Sequence, residues 1–123
     1  MHEMALAQGI LQIVLDAADG EKVRNISLRV GDRQMVVRDS LEFSFRLAAE
    51  GTEAEDAVIA MEQVATCLLC RQCGAQAEAE LPPWMCRQCG ANEVEILSGD
   101  ELFVEAVELD NGRIIRKRQE NGS

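Results

Sequence analysis

The hexapeptide CRQCGA stands at residues 70–75 and again at 86–91, and the two copies set Cys70, Cys73, Cys86 and Cys89 in paired C-x-x-C spacing. Two residues between cysteines let both thiolates of a pair face one ion from a tight turn. The glycine after each pair, Gly74 or Gly90, lets the backbone curl around sulfur without a Cβ clash. Two such knuckles supply four thiolates, the closed tetrahedral set that suits Zn²⁺ at about 2.3 Å per bond. The spacer between them is twelve residues, enough for a hairpin return through Leu81, Pro82 and Pro83. Cys67 opens a further C-x-x-C with Cys70, so it competes with Cys70 or Cys73 as a ligand, its other reading being a small apolar strand residue. Spacing also admits a rubredoxin-like iron site, which an intense iron–thiolate colour would reveal. With four cysteines bound, zinc keeps no open position, so the site is structural and not catalytic.

The second candidate is the N-terminus, MHEMALAQ, whose His2 is the single histidine of the chain. An α-amine, the backbone nitrogen of His2 and its imidazole close adjacent chelate rings on one ion, and the backbone nitrogen of Glu3 completes four in-plane donors. Such a nitrogen set suits Ni²⁺ or Cu²⁺ and does not suit Zn²⁺, Mg²⁺ or Ca²⁺. A helix beginning near Glu3 or Met4 would leave these amides without intrahelical acceptors, free to lose their protons to a metal. Binding would tighten as pH rises, because the donors must deprotonate. The site would be open-faced, which favours handing the ion on.

The elements that must position these groups follow from periodicity. Met4, Ala7, Leu11, Val14 and Ala18 recur at helical spacing, flanked by Leu6, Ile10 and Leu15, and Gly20 ends the helix. Val23, Ile26, Leu28 and Val30 nearly alternate up to Gly31, as in a strand. RDSLEFSFRLAAEG predicts a second helix with Asp39 or Ser40 as N-cap, Glu42 in a capping box, an apolar side of Leu41, Phe45 and Ala48, and Gly51 past the last turn. AVIAMEQVA leans to strand, and EVEIL and ELFVEAVEL predict two more, joined through Ser98, Gly99 and Asp100. The expected fold is α+β, a small sheet packed with two helices and carrying an inserted zinc-ribbon-like domain built on the two knuckles. By residue number, the expected division is a discontinuous α+β domain of 1–65 plus 93–115 that carries the N-terminal site, a zinc-binding domain of 66–92 and a flexible tail of 116–123.

Composition narrows the function classes. Twelve basic against 22 acidic residues give a formal charge of -10, which repels phosphate backbones and anionic membranes and argues against both as partners. The basic cluster Arg113, Arg116, Lys117 and Arg118 reads as part of a solvated tail. Aromatic residues are few, so the core rests on aliphatic side chains and a metal staple would help it. The first 20 residues lack the basic region of a signal peptide, and no segment approaches the roughly 20 apolar residues of a membrane span. A cytoplasmic setting is therefore expected, where thiols stay reduced and serve as ligands. No second histidine exists for a metal triad or a Cys-His pair, and no glycine-rich phosphate loop appears, so the chain does not read as an enzyme.

MHE at the head of an amphipathic helix, SLRVG, SLEFSF, GTEAEDA, the two knuckles and the closing EVEILSGDELFVEAVEL together resemble the HypA/HybF family of hydrogenase-maturation nickel metallochaperones, to about Leu109. The resemblance implies a nickel-binding domain split around an inserted zinc domain, Ni²⁺ as cargo for the NiFe-hydrogenase large subunit precursor, and a partner GTPase. Carried over by position, His2 is the principal nickel ligand, assisted by the Met1 amine and the backbone of His2 and Glu3. Cys70, Cys73, Cys86 and Cys89 hold the structural zinc. Cys67 and the close duplication of CRQCGA are not part of the resemblance. The sequence is compatible with a monomer, with a homodimer joined through nickel, and with a domain-swapped pair. Two other functions are consistent with the cysteines: a zinc-ribbon adaptor that only organises proteins, and an iron electron carrier.

Overall fold

A computed structural model of the chain describes residues 3–79 and 82–117. Two α-helices and seven strands follow one another in these residues, with a short 3-10 helix (Asp32–Gln34) after the first strand: α1 (Glu3–Ala18), β1 (Val23–Gly31), α2 (Arg38–Ala49), β2 (Val58–Val64), β3 (Cys67–Cys70), β4 (Gln76–Glu78), β5 (Val94–Ser98), β6 (Leu102–Leu109) and β7 (Ile114–Arg116). They form a four-stranded sheet in the order β2-β1-β6-β7 and a three-stranded sheet in the order β4-β3-β5. The expected α+β class with two helices is the architecture observed. The chain divides into two compact units. One holds the chain through Arg29, Val36–Glu62 and the chain from Phe103; the other holds Val30–Met35 and Gln63–Leu102.

In the first unit α1 and α2 pack on each other. The α1 seam is Ala7, Ile10, Val14 and Ala18, all buried, while Met4 is exposed and Leu11 half-buried. The expected row of Met4, Ala7, Leu11, Val14 and Ala18 is therefore corrected: the buried stripe keeps i, i+3, i+4 geometry by taking Ile10, and a helix apolar on several sides leaves that rotation to its packing partner. On α2 the seam is Leu41, Phe45 and Ala49, a straight i, i+4 row that replaces the expected Ala48. The N-cap position is Val37, extended and without a side-chain cap, so neither Asp39 nor Ser40 caps the helix and Glu42 closes no capping box. The backbone begins the helix at Arg38, two residues earlier than an Asp39 cap would, with Leu41 N–H donating to Val37 carbonyl oxygen at 3.0 Å.

Strand β1 carries the sheet's alternation. Ile26, Leu28 and Val30 are buried on one face, and on the other Arg29 meets Glu62 of β2 at 3.0 Å and Glu105 of β6 at 3.7 Å. Arg24 and Asn25 both reach Glu108. These pairs are part-exposed, worth at most about 1 kcal/mol each, and they mark register more than they stabilise. The expected tail from residue 116 is corrected in its first position, because Arg116 pairs with Ala106 in β7. Backbone hydrogen bonding carries on to Lys117, and residues 118–123 lie outside the described ones.

In the second unit, β5 pairs with β3 and not with the four-stranded sheet. EVEIL and ELFVEAVEL are thus strands of two different sheets, separated at the turn that contains Gly99. Gly31 crosses this turn: its N–H donates to Glu101 carbonyl oxygen at 2.7 Å, and a Cβ on Gly31 would overlap the Gly99 carbonyl group. Gly99 in turn has φ +112 and lies against fully buried Thr66. The obstacle at Gly31 is backbone, which cannot rotate away. A Gly31→Ala variant is therefore expected to lose about 3 kcal/mol of stability, measured by urea unfolding; a loss below about 0.5 kcal/mol would show that the crossing yields.

Candidate metal centre

The cysteine site is built from two copies of one backbone turn. At the first knuckle the Gln72 and Cys73 amides donate to Cys70 Sγ at 3.4 and 3.3 Å, Gly74 N–H donates to the Cys70 carbonyl at 3.0 Å, and Cys70 N–H donates to the Ala75 carbonyl at 2.9 Å. At the second, the Cys89 amide donates to Cys86 Sγ at 3.4 Å, Gly90 N–H to the Cys86 carbonyl at 2.9 Å, and Cys86 N–H to the Ala91 carbonyl at 2.9 Å. Gly74 and Gly90 take φ of +80 and +77, the left-handed conformation that closes each turn. The repeated hexapeptide thus folds as a repeated structure, and each copy aims amide hydrogens at its first sulfur.

The two turns face each other. Cys70 and Cys89 sulfurs are 3.6 Å apart, as are those of Cys73 and Cys86, and all four sulfurs lie within 4.8 Å of one another. A tetrahedron with bonds of about 2.3 Å has edges of about 3.8 Å, so the four sulfurs already stand close to the positions a tetrathiolate zinc demands. Cys70 and Cys86 are buried, Cys73 and Cys89 exposed, so each knuckle gives one inner and one outer sulfur. The four-cysteine group suits a structural zinc.

Cys67 stays out of the group. It lies on β3 between Glu78 of β4 and Ser98 of β5, half-buried, and three residues along a strand from Cys70 its side chain takes the opposite face.

Hydrogen bonding divides the thiols. The Cys89 amide, then the Gln88 amide and Cys73, prevail over burial and lower Cys86 to about 6. Cys70 is lowered too, by the Cys73 amide first and then the Gln72 amide, against burial. At Cys89 the backbone hydrogen bond at Ala91 pulls downward, but Cys70, burial and Cys86 outweigh it and push the thiol up to about 12. Cys73 is raised in the same way, Cys70 and Cys86 outweighing the backbone at Ala75. With the knuckles folded in this way, Cys86 gives up its proton most readily, and the outer sulfurs Cys73 and Cys89 hold theirs. Zinc loading of reduced, metal-free protein is expected to release protons, read with an indicator dye in weak buffer, because a tetrathiolate site holds none. Because protons leave as zinc binds, affinity falls as pH falls. Loading without proton release would contradict thiolate ligation.

Sequence reading missed the residues that anchor the chain before the second knuckle. Arg33 donates to the Asp100 carboxylate, and its guanidinium lies 5.5 Å from the centroid of the Trp84 ring, two residues before Cys86. Arg33 N–H also donates to the Gly99 carbonyl at 2.9 Å, and Gln34 to the Asp100 carbonyl at 2.7 Å. Arg33 and Trp84 are about fifty residues apart and match no spacing rule; the lone tryptophan beside two prolines was the available signal.

Of the N-terminal candidates, Glu3 is the first residue of α1. Its N–H therefore has no intrahelical acceptor. Met1 and His2 lie outside the described residues. No helix among the described residues is long and apolar enough to cross a membrane.

Comparison with known proteins places the chain. Residues 1–109 match the model of a family described as "Hydrogenase/urease nickel incorporation, metallochaperone, hypA". The chain is 34% identical over 110 residues to hydrogenase maturation factor HypA of Nostoc sp., covering 89% of this chain and 96% of that protein. It is 37% identical over 118 residues to hydrogenase maturation factor HypA of Streptomyces avermitilis, covering 92% and 90%. In fold it is similar to the solution structure of the Ni metallochaperone HypA from Helicobacter pylori, with TM-score 0.62 and 18% identity over 89% of this chain and 97% of that one. A tetrathiolate centre in an α+β chain, matched from residue 1 to Leu109, assigns this chain to the HypA family of hydrogenase/urease nickel-incorporation metallochaperones.

Proposed function

We propose that this chain is a nickel metallochaperone that binds Ni²⁺ at its N-terminus and delivers it during maturation of NiFe-hydrogenase, with zinc at Cys70, Cys73, Cys86 and Cys89 as a structural staple. The observation that carries the reading is the family match from residue 1, which includes the MHE tripeptide, together with a helix that begins at Glu3. The helix start leaves the Glu3 amide uncommitted, the condition for backbone nitrogen to join the imidazole of His2 and the Met1 amine around the ion. Amine and deprotonated amides are strong in-plane donors, and they bind nickel or copper in preference to zinc. Zinc held by all four thiolates rigidifies the knuckles and offers no coordination position to cargo.

The partners of this reading are a hydrogenase-maturation GTPase and the large subunit precursor, and the chain itself performs no hydrolysis. Copper binds such a nitrogen set more strongly than nickel, so selectivity rests on metal availability and on partner contact. The test is hydrogenase maturation in cells whose only copy of the gene encodes His2→Ala. Loss of hydrogenase activity at low nickel, recovered by added nickel, is the expected outcome. Normal maturation at low nickel would favour an adaptor that moves no metal.

A further inference from the structure

The second unit carries a cleft of about 210 Å³ beside the cysteine centre, between β4 and the second knuckle. Its floor is one face of the three-stranded sheet. Residues paired across strands share a face, so Leu68 and Cys70 of β3, Ala77 opposite Leu68 and Val94 opposite Cys70 all line it, with Met85 across from them. Leu68 and Cys70 are buried, whereas Met85 and Val94 are half-buried and Ala77 is exposed, so the cleft opens at β4. Gln76 and Glu78 line it too, although period two turns their side chains to the other face. Their backbone therefore forms its border, and the cleft runs along the outer edge of β4.

That edge has its hydrogen-bonding groups free. β4 is the outer strand of its sheet. On its inner side Ala79 N–H donates to the Thr66 carbonyl at 3.0 Å, Cys70 N–H donates to the Ala75 carbonyl at 2.9 Å, and Ala77 opposite Leu68 lies midway between these pairs. Residues 75, 77 and 79 thus hold the hydrogen-bonded positions of the ladder, and Gln76 and Glu78 turn N–H and C=O away from β3. Among the described residues no hydrogen bond reaches these four groups. Alternating donors and acceptors at strand spacing match the backbone of another strand.

We propose that β4 takes an extended segment of a partner protein as a further antiparallel strand, with one apolar side chain of about leucine size in the cleft and Lys or Arg on either side of it. Pairing at Gln76 and Glu78 sets the partner residue between them opposite Ala77, where it shares the face of Ala77 and enters the cleft. The neighbours of that residue take the other face, beside Glu78 and, across β3, Glu95. Among the described residues neither carboxylate makes an ion pair, so cations complement that face. Main-chain bonds supply the affinity, and the cleft with its acidic flank selects the side chains. A second copy of this chain pairing through its own β4 would offer Ala77, which leaves the cleft nearly empty, and nucleic acid is repelled by a protein at -10.

The inference does not rest on nickel binding. Its test uses the full chain, reduced, zinc-loaded and labelled with ¹⁵N, with three capped peptides. The first is Lys-Thr-Lys-Leu-Lys-Thr-Lys, the second has Gly for Leu, and the third carries N-methyl groups on the two Lys beside Leu, which removes backbone donors and keeps every side chain. The first is expected to shift the amides of Gln76, Ala77, Glu78 and Met85, to slow hydrogen exchange at Gln76 and Glu78, and to bind more weakly as salt rises. The other two should bind at least about tenfold more weakly, and Ala77→Leu, which fills the cleft, and Glu78→Lys should each cost about tenfold. Both positions are exposed, so each variant should keep one zinc per chain. Equal binding of the glycine or N-methyl peptide, undiminished binding to both variants, shifts confined to other residues, no binding, or self-association through the β4 amides would each overturn the proposal.

Discussion

A Cys86→Ser variant is expected to purify with less than about one-tenth of the zinc of the native chain and to lose the ordered amide spectrum of residues 67–98. Three observations make this the largest stability effect. Cys86 is a buried inner sulfur, it receives the Cys89 amide, and its partner across the site is Cys73 at 3.6 Å. The unit it belongs to has little else to hold it, since Leu68, Cys70, Ala79 and Cys86 make up most of its buried apolar side chains beyond Val30. Structural zinc is worth about 10–16 kcal/mol at neutral pH in small domains, far more than such a core supplies. The first unit has its own core of Ile26, Leu28, Leu41, Phe45, Val107 and Leu109, so its spectrum should persist. Cys67→Ser, by contrast, should keep one zinc per chain. Retention of zinc by Cys86→Ser, or its loss from Cys67→Ser, would show that the ligand set is wrong.

The second large effect concerns nickel and needs no change to any existing residue. One residue added ahead of Met1 would move the α-amine out of reach and replace it with an amide, so the proposed site would lose its outer chelate ring. His2→Ala removes the imidazole instead. Loss of groups that merely orient metal ligands costs about 10–100-fold in affinity, so loss of a ligand should cost about 100-fold or more. Isothermal titration of untagged protein with Ni²⁺ reads both. Affinity in the native chain should rise with pH, because the amine and amides bind metal only after losing protons. The zinc content of both variants should stay at one per chain, which separates loss of nickel binding from loss of the fold.

Much of this was legible in the sequence, and the failures have physical causes. The knuckles were readable because a C-x-x-C-G turn is local: its hydrogen bonds and its left-handed glycine all fall within six residues. β1 was readable because one face is buried and period two survives there in Ile26, Leu28 and Val30. The rotation of α1 was not, since Ile10 and Leu11 are equally apolar and only packing chooses between them. The absent cap on α2 shows an extended Val37 entering the helix where Asp39 was available. The assignment of β5 to a separate sheet depends on pairing with β3, about 25 residues away, which alternation cannot specify. Arg33 over Trp84 belongs to the same class of long-range contact.

Nickel at the N-terminus beside zinc in the knuckles is tested most directly by metal analysis of untagged, reduced protein, before and after incubation with Ni²⁺ and removal of unbound ion. One zinc per chain before, and one zinc with one nickel after, is the expected result, with His2→Ala stopping at zinc alone. A single kind of metal throughout, displacement of zinc by nickel, iron–thiolate colour, or equal nickel in the His2→Ala variant would contradict it.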